Sequence, residues 1–232
     1  MALQKTGLSK KQAVIALIMN LAMAFAGIFG AVNNFYYSDT RWGMMIYYTC
    51  NSNILGAAAG IMLAVFYVRM LVNGKSVPGW AIIVKYLSVC CLTITFLVTA
   101  FILTPMMAID ASLYGMSGSL TFLESAKFML LGNITLWHHL LNPLFAFFSF
   151  LLFERLPTPP AKSLAFALIP TGLYAVISVT LNVLRIWHGP YPFLYVYEQP
   201  LWMSIIWFAI VVGGAAGISY LIARMKKPVE YL

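Results

Sequence analysis

Six apolar runs, each long enough to cross a bilayer, fill most of the chain, and short polar clusters separate them. A spanning helix needs about 20 predominantly apolar residues. The runs cover about 13–35, 44–71, 80–103, 128–153, 163–184 and 201–223. Asn73-Gly74-Lys75 and Pro78-Gly79 break the second run from the third. Pro157-Thr158-Pro159-Pro160 breaks the fourth from the fifth, and the stretch from Pro190 to Pro200 breaks the last two. The runs are apolar on every side, not alternately apolar and polar. A transmembrane β-barrel needs the alternation, so the pattern predicts an all-α, polytopic bundle of six transmembrane helices, a single domain over residues 1–232.

The positive charges set the expected orientation. Lys5, Lys10, Lys11, Arg69, Lys75, Arg155, Lys162, Arg224, Lys226 and Lys227 fall on the side of the N-terminus. Arg41, Lys127 and Arg185 fall on the other, and Lys85 lies within the third run. Cytoplasmic loops carry the excess of Lys and Arg, so the expectation is a multi-pass protein of the cell membrane with both termini in the cytoplasm. Lys5, Lys10 and Lys11 before an apolar run, with Ala22-Met23-Ala24 inside it, resemble a signal peptide. The run continues to about Phe35, too long for that, and is read as the first span. The expected outer loops hold Asp39, Asp110, Glu124 and Glu198 and are rich in Tyr and Trp, as interfacial belts are. The longest of them, 104–127, is expected to be either a partly ordered lid or a loose loop.

Composition agrees: 62% of the 232 residues are hydrophobic and 9% charged, which leaves no room for a soluble domain. The net charge of +8 is spread in clusters between spans rather than gathered in one patch, so anionic head groups are the expected partner and nucleic acid is not. Cys50, Cys90 and Cys91 lie inside apolar runs without disulfide or zinc spacing.

Polar residues at membrane depth are costly unless they face the bundle interior, so they carry the candidate chemistry. Thr49-Cys50-Asn51-Ser52-Asn53 opens the second span, and Thr49 and Asn53 share a helical face. The plain reading of these residues is interhelical glue. His138-His139 lies mid-way along the fourth span, followed by Asn142-Pro143. Adjacent residues on a helix diverge by about 100°, so one histidine is expected to face a cavity and the other a neighbour. Asn182, Arg185, Trp187, His188 and Tyr191 gather between the last two spans. There Arg185 either snorkels to the interface or holds a carboxylate or phosphate head group. A hydroxyl at Thr49 and an imidazole at His138 form a possible nucleophile–base pair, offset by roughly 9 Å in height at about 1.5 Å per residue.

Arg41-Trp42, the Thr49–Asn53 segment, His138-His139 with Pro143, and Tyr191-Pro192-Phe193 occur in the order and layout of a known family. The chain resembles the androgen-induced (FAR-17a-like) six-transmembrane proteins and their bacterial relatives. Animal members are hydrolases of fatty acid esters of hydroxy fatty acids that use a membrane-embedded threonine and histidine. The resemblance implies Thr49 as nucleophile and His138 as base, with no metal or organic cofactor. In the animal pattern an Asn follows the threonine by three residues. Here Asn53 follows Thr49 by four and Cys50 by three, a register that favours Cys50. A more distant six-span group, similar in layout, uses a cysteine for acyl transfer, which keeps Cys50 as a second nucleophile and acyl transfer as the alternative to hydrolysis. The distance to Pro143 selects His138 or His139. Asn51, Ser52 or Asn53 would donate to an oxyanion, with Asn142, Asn182, Arg185 and Tyr191 as further substrate contacts and an acyl ester of the membrane as substrate. The competing expectations are a lipid or small-molecule binding or transport subunit without catalysis, and a scaffold whose polar residues only pack helices.

Overall fold

The protein is described here by a computed structural model covering residues 8–37, 41–157 and 160–225. Lys5, Asp39, Thr158, Pro159, Lys226 and Lys227 lie outside the described residues. Among the described residues there are helices and no strand. Six helices are long and apolar enough to cross a membrane. They are α1 (Lys10–Tyr37), α2 (Tyr48–Asn73), α3 (Gly79–Ile109), α4 (Asn133–Phe153), α5 (Ala161–Val183) and α6 (Leu201–Arg224). The chain is a multi-pass α-helical membrane protein.

α3 is the central post. It packs against α2, α4, α5 and α6, and 56% of its most apolar stretch is buried, against 17% for α6. α6 therefore turns most of its surface to lipid. The closest helix pair is α1 with α2, and small residues make the closeness possible. A Cβ at Gly27 would stand 2.6 Å from the Asn53 carbonyl oxygen, and one at Gly60 would stand 2.7 Å from the Asn20 carbonyl oxygen. Gly56 and Gly60 form a small-xxx-small pair, the usual device for drawing backbones together where lipid supplies no hydrophobic drive.

Buried packing separates two ends of the bundle. Leu8, Val77, Leu156 and Ala223 belong to one core, so the start of α1 and the end of α6 lie at the same end. Leu103, Met107, Met129, Tyr191 and Phe193 form a second core at the far end.

Three boundaries differ from those expected from the sequence. α2 starts at Tyr48, after a 3-10 turn over Arg41–Ile46. α3 continues beyond Leu103 through Pro105, because Thr99–Leu103 is wound as a π-helix and the Thr104 hydroxyl donates to the Thr99 carbonyl at 2.8 Å. Pro105 has no N–H to give this turn, and the Thr104 hydroxyl adds a second bond to the Thr99 carbonyl, which already accepts the Thr104 amide. α4 starts at Asn133 rather than 128, since Gly132 is extended (φ −67°, ψ 160°). Residues 122–131 instead form a short helix begun by a capping box between Thr121 and Glu124. The 104–127 connection is thus largely ordered, with a 3-10 turn at Ala111–Tyr114. Two further π-wound stretches occur, Lys127–Leu131 and Leu136–Leu141. π-bulges are frequent at functional sites, and the last one contains both membrane histidines.

Candidate functional site

The polar opening of α2 is knitted into the bundle. Ser52 Oγ shares a hydrogen bond with Thr95 Oγ1 at 2.8 Å and donates to the Thr49 carbonyl at 2.9 Å. Asn53 Nδ2 donates to the carbonyls of Thr49 (2.8 Å) and His138 (3.1 Å), and Asn53 Oδ1 accepts from Asn142 Nδ2 at 2.7 Å. Asn51 Nδ2 donates to the Met45 carbonyl at 2.8 Å. The donors expected to face an oxyanion are therefore engaged with backbone and neighbouring helices. In lipid an amide left without a partner is costly, so internal pairing takes precedence.

Thr49 and His138 do not pair in this structure. Thr49, half-buried, turns toward the loop before α6. Its amide donates to the Tyr191 phenol oxygen at 3.4 Å. His138 lies on another side of α2, against α1. Its ring occupies the space where a Cβ of Gly30 would stand, 2.2 Å from ring atoms Cδ2 and Nε2. His138 Nε2 is buried without a hydrogen-bond partner, as is Asn142 Oδ1 one turn along. Cys50 is buried on the same strip of α1, where its sulfur accepts from Asn34 Nδ2 at 2.9 Å, one turn beyond Gly30. His139 is tied through Nδ1 to the Met129 carbonyl at 2.6 Å, a structural role. Of the four candidate catalytic side chains, Cys50 and His138 share the α1 face and Thr49 stands apart.

What Thr49 does line is a small apolar chamber of about 50 Å³. Its walls come from α2 (Tyr48, Thr49), α3 (Thr95, Thr99, Leu103), α5 (Thr171, Tyr174), the loop (Tyr191, Phe193) and α6 (Val211). The hydroxyls around it are largely satisfied by one another or by backbone. Tyr48 shares a bond with Thr171 at 2.8 Å, and Tyr174 donates to the Ile46 carbonyl at 2.7 Å. The Tyr191 phenol, which accepts from the Thr49 amide, is pushed up to about 12 by burial, so it keeps its proton near neutral pH.

Beside the chamber runs a groove of about 450 Å³ between α5 and α6. Val179 and Val183 of α5, Leu201, Ser204, Ile205 and Phe208 of α6, and Tyr197 of the loop form most of it. Chamber and groove share Ala175, Phe193, Leu194 and Val211, so one continuous apolar wall leads from the α5–α6 groove to Thr49.

At the far end of that groove lie the residues expected to contact a head group. Arg185 is exposed and its guanidinium sits 4.5 Å from the centre of the Tyr197 ring. Asn182 is buried, where its Nδ2 donates to the His188 carbonyl. His188 pairs with Glu198, and its ring lies tilted against Tyr195 with the centres 3.9 Å apart. Tyr191 belongs to the chamber instead.

A second polar assembly escaped the reading of the sequence. Lys85, fully buried in α3, donates to Asn20 Oδ1 at 2.7 Å, and Asn20 Nδ2 donates to Glu154 Oε1 at 3.2 Å. Tyr67 and Ser149 also donate to Glu154, at 3.3 and 3.4 Å. An amide thus bridges a buried cation to a buried carboxylate across α1, α3 and the end of α4. The signal was a lysine inside an apolar run, which requires a partner at depth. Among the described residues no three His, Cys, Asp or Glu side chains come together.

No protein-family model, curated protein or solved structure matches the chain. The functional reading rests on its own geometry.

Proposed function

We propose that this protein binds the acyl chain of a membrane lipid between α5 and α6, along a wall that leads to Thr49. One observation carries the reading, the wall of Ala175, Phe193, Leu194 and Val211 common to the groove and the chamber. The groove is within the roughly 300–1,000 Å³ of ordinary ligand sites. The chamber, at about 50 Å³, admits no more than a few water-sized groups, so the chain lies in the groove. The test is binding of a fluorescent acyl ester to the purified protein. Val211→Trp, which fills the common wall, should weaken binding at least tenfold, and unchanged binding would refute the reading.

Ester hydrolysis is the second reading, favoured by the place of Thr49 at the end of this wall and by the family resemblance. Thr49 Oγ1 would attack the acyl carbonyl with its proton passing to His138, which would hand it to the leaving alcohol. Water would then cleave the acyl-threonine to release the fatty acid and restore Thr49. His138 would first have to turn away from Gly30. An active-site-directed hydrolase probe compares wild type with Thr49→Ala, Cys50→Ala and His138→Ala. Labelling lost in the Thr49 and His138 variants alone supports hydrolysis. Loss in Cys50→Ala alone supports thiol acyl transfer, and an unlabelled wild type leaves binding without chemistry.

The Lys/Arg imbalance supports a cell-membrane location with both chain ends in the cytoplasm. A C-terminal alkaline phosphatase fusion should then be inactive. An active fusion would reverse the orientation.

A further inference from the structure

Arg185 closes α5 with left-handed backbone (φ 57°), at a helix end where glycine is the usual residue. Non-glycine side chains at such positions carry strain, which points to work done by the side chain. The guanidinium lies over the Tyr197 ring, and among the described residues it meets no carboxylate. It lines a polar pocket of about 200 Å³ with Trp187, His188, Tyr195, Tyr197 and Glu198. Tyr197 lines this pocket and the apolar α5–α6 groove alike, fixed by its hydroxyl on the Val183 carbonyl at 2.6 Å. Pocket and groove therefore adjoin at Tyr197, polar on one side and apolar on the other. The polar part places the Arg185 guanidinium and the Glu198 carboxylate, which also holds His188, across one opening edged by aromatic rings.

We propose that a zwitterionic membrane phospholipid occupies this site, with its phosphate on Arg185, its ammonium on Glu198 among the Tyr195 and Trp187 rings, and one acyl chain in the α5–α6 groove. Guanidinium recognises phosphate through parallel hydrogen bonds, and ring faces attract ammonium groups. The chain-binding part rests on the function proposed above. The head-group part is new and makes the ligand class specific.

Native mass spectrometry of the full-length protein in detergent tests both parts separately. Four ligands are added in turn: a phosphatidylethanolamine, a phosphatidylglycerol, a diacylglycerol and chain-free glycerophosphoethanolamine. The wild type should prefer phosphatidylethanolamine at least tenfold over diacylglycerol and bind the chain-free ester weakly. Arg185→Gly relieves the backbone strain, so its melting temperature should hold or rise while the phospholipid preference disappears. Glu198→Gln should equalise phosphatidylethanolamine and phosphatidylglycerol. Diacylglycerol binding as well as phospholipid, or an Arg185→Gly protein with full preference, overturns the head-group assignment and leaves chain binding standing. Tight binding of the chain-free ester overturns the lipid assignment. Failure to bind any acylated ligand overturns chain binding as well.

Discussion

Gly30→Ala tests where His138 points. The added methyl would lie 2.2 Å from His138 Cδ2 and Nε2 and 3.2 Å from Cε1. Ordinary contact begins at about 3.5 Å, so the ring must retreat by more than about 1 Å. Overpacking of this size destabilises by about 1–3 kcal/mol. Alanine recovers about 0.5–1 kcal/mol over glycine within a helix, which leaves a net loss of about 1–2 kcal/mol. All three nearest neighbours of the new methyl belong to His138. In a His138→Ala background the clash is gone, and Gly30→Ala should be neutral or stabilising by about 0.5–1 kcal/mol. The two effects differ in sign and imply a coupling of about 2 kcal/mol, within the range of directly touching side chains. Reversible unfolding of the wild type, both single variants and the double variant in mixed micelles measures it. Equal destabilisation by Gly30→Ala in both backgrounds would refute the packing of His138 on α1, and with it the separation of His138 from Thr49.

Other expectations follow from the same geometry. Gly27→Ala and Gly60→Ala press on backbone oxygens that cannot give way, so each should lower the melting temperature more than Gly30→Ala does. Gly213→Ala and Gly217→Ala meet open space and should leave it unchanged or slightly higher. Lys85→Met removes the cation that Asn20 bridges to Glu154 and should destabilise by about 3–5 kcal/mol, with much of the loss recovered in Lys85→Met/Glu154→Gln. Additive losses, measured by the same unfolding assay, would argue against an amide-bridged pair. Hydrogen bonds from the Thr121 side chain and backbone hold the Glu124 carboxyl below its usual value. A depressed carboxyl stabilises above its unfolded value near 4.5 and loses that contribution as pH falls through the folded one. Amide exchange over 122–131, corrected for intrinsic rate, should therefore accelerate between pH 6 and pH 3. Thr121→Ala should show the faster exchange already at pH 6, and pH-independent protection would contradict the capping box.

The six spans were legible because lipid imposes long uninterrupted apolar runs. The start of α4 was not, because Phe128, Met129, Leu130 and Leu131 are as apolar as the span itself and only the backbone of Gly132 separates them. The α1–α2 contact left a trace in Gly27, Gly56 and Gly60, but a small residue reads as close packing only once its partner is known. The candidate residues were legible as types, since polar groups at depth require partners. Their facing was not legible. His138 and Asn142 are four apart, yet the π-wound stretch Leu136–Leu141 resets the angle between the histidines and the rest of α4, and nothing in the residue order announces that winding. The bridge from Lys85 to Glu154 was hidden for a different reason. Glu154 stands at the edge of its run, where a carboxylate is ordinarily solvated, and Asn20 in α1 joins the two.

The acyl path from the bilayer to Thr49 can be mapped with a lipid that carries a photoreactive diazirine on its chain, reconstituted with the protein in nanodiscs. After illumination, digestion and mass spectrometry should find adducts concentrated on Ala175, Val179, Val211 and Val212, and Val211→Trp should remove those on Ala175. Adducts spread evenly over the exposed faces of α1 and α6, at Ile18, Phe25 and Ile210 as often as at the groove, would contradict a lipid site between α5 and α6.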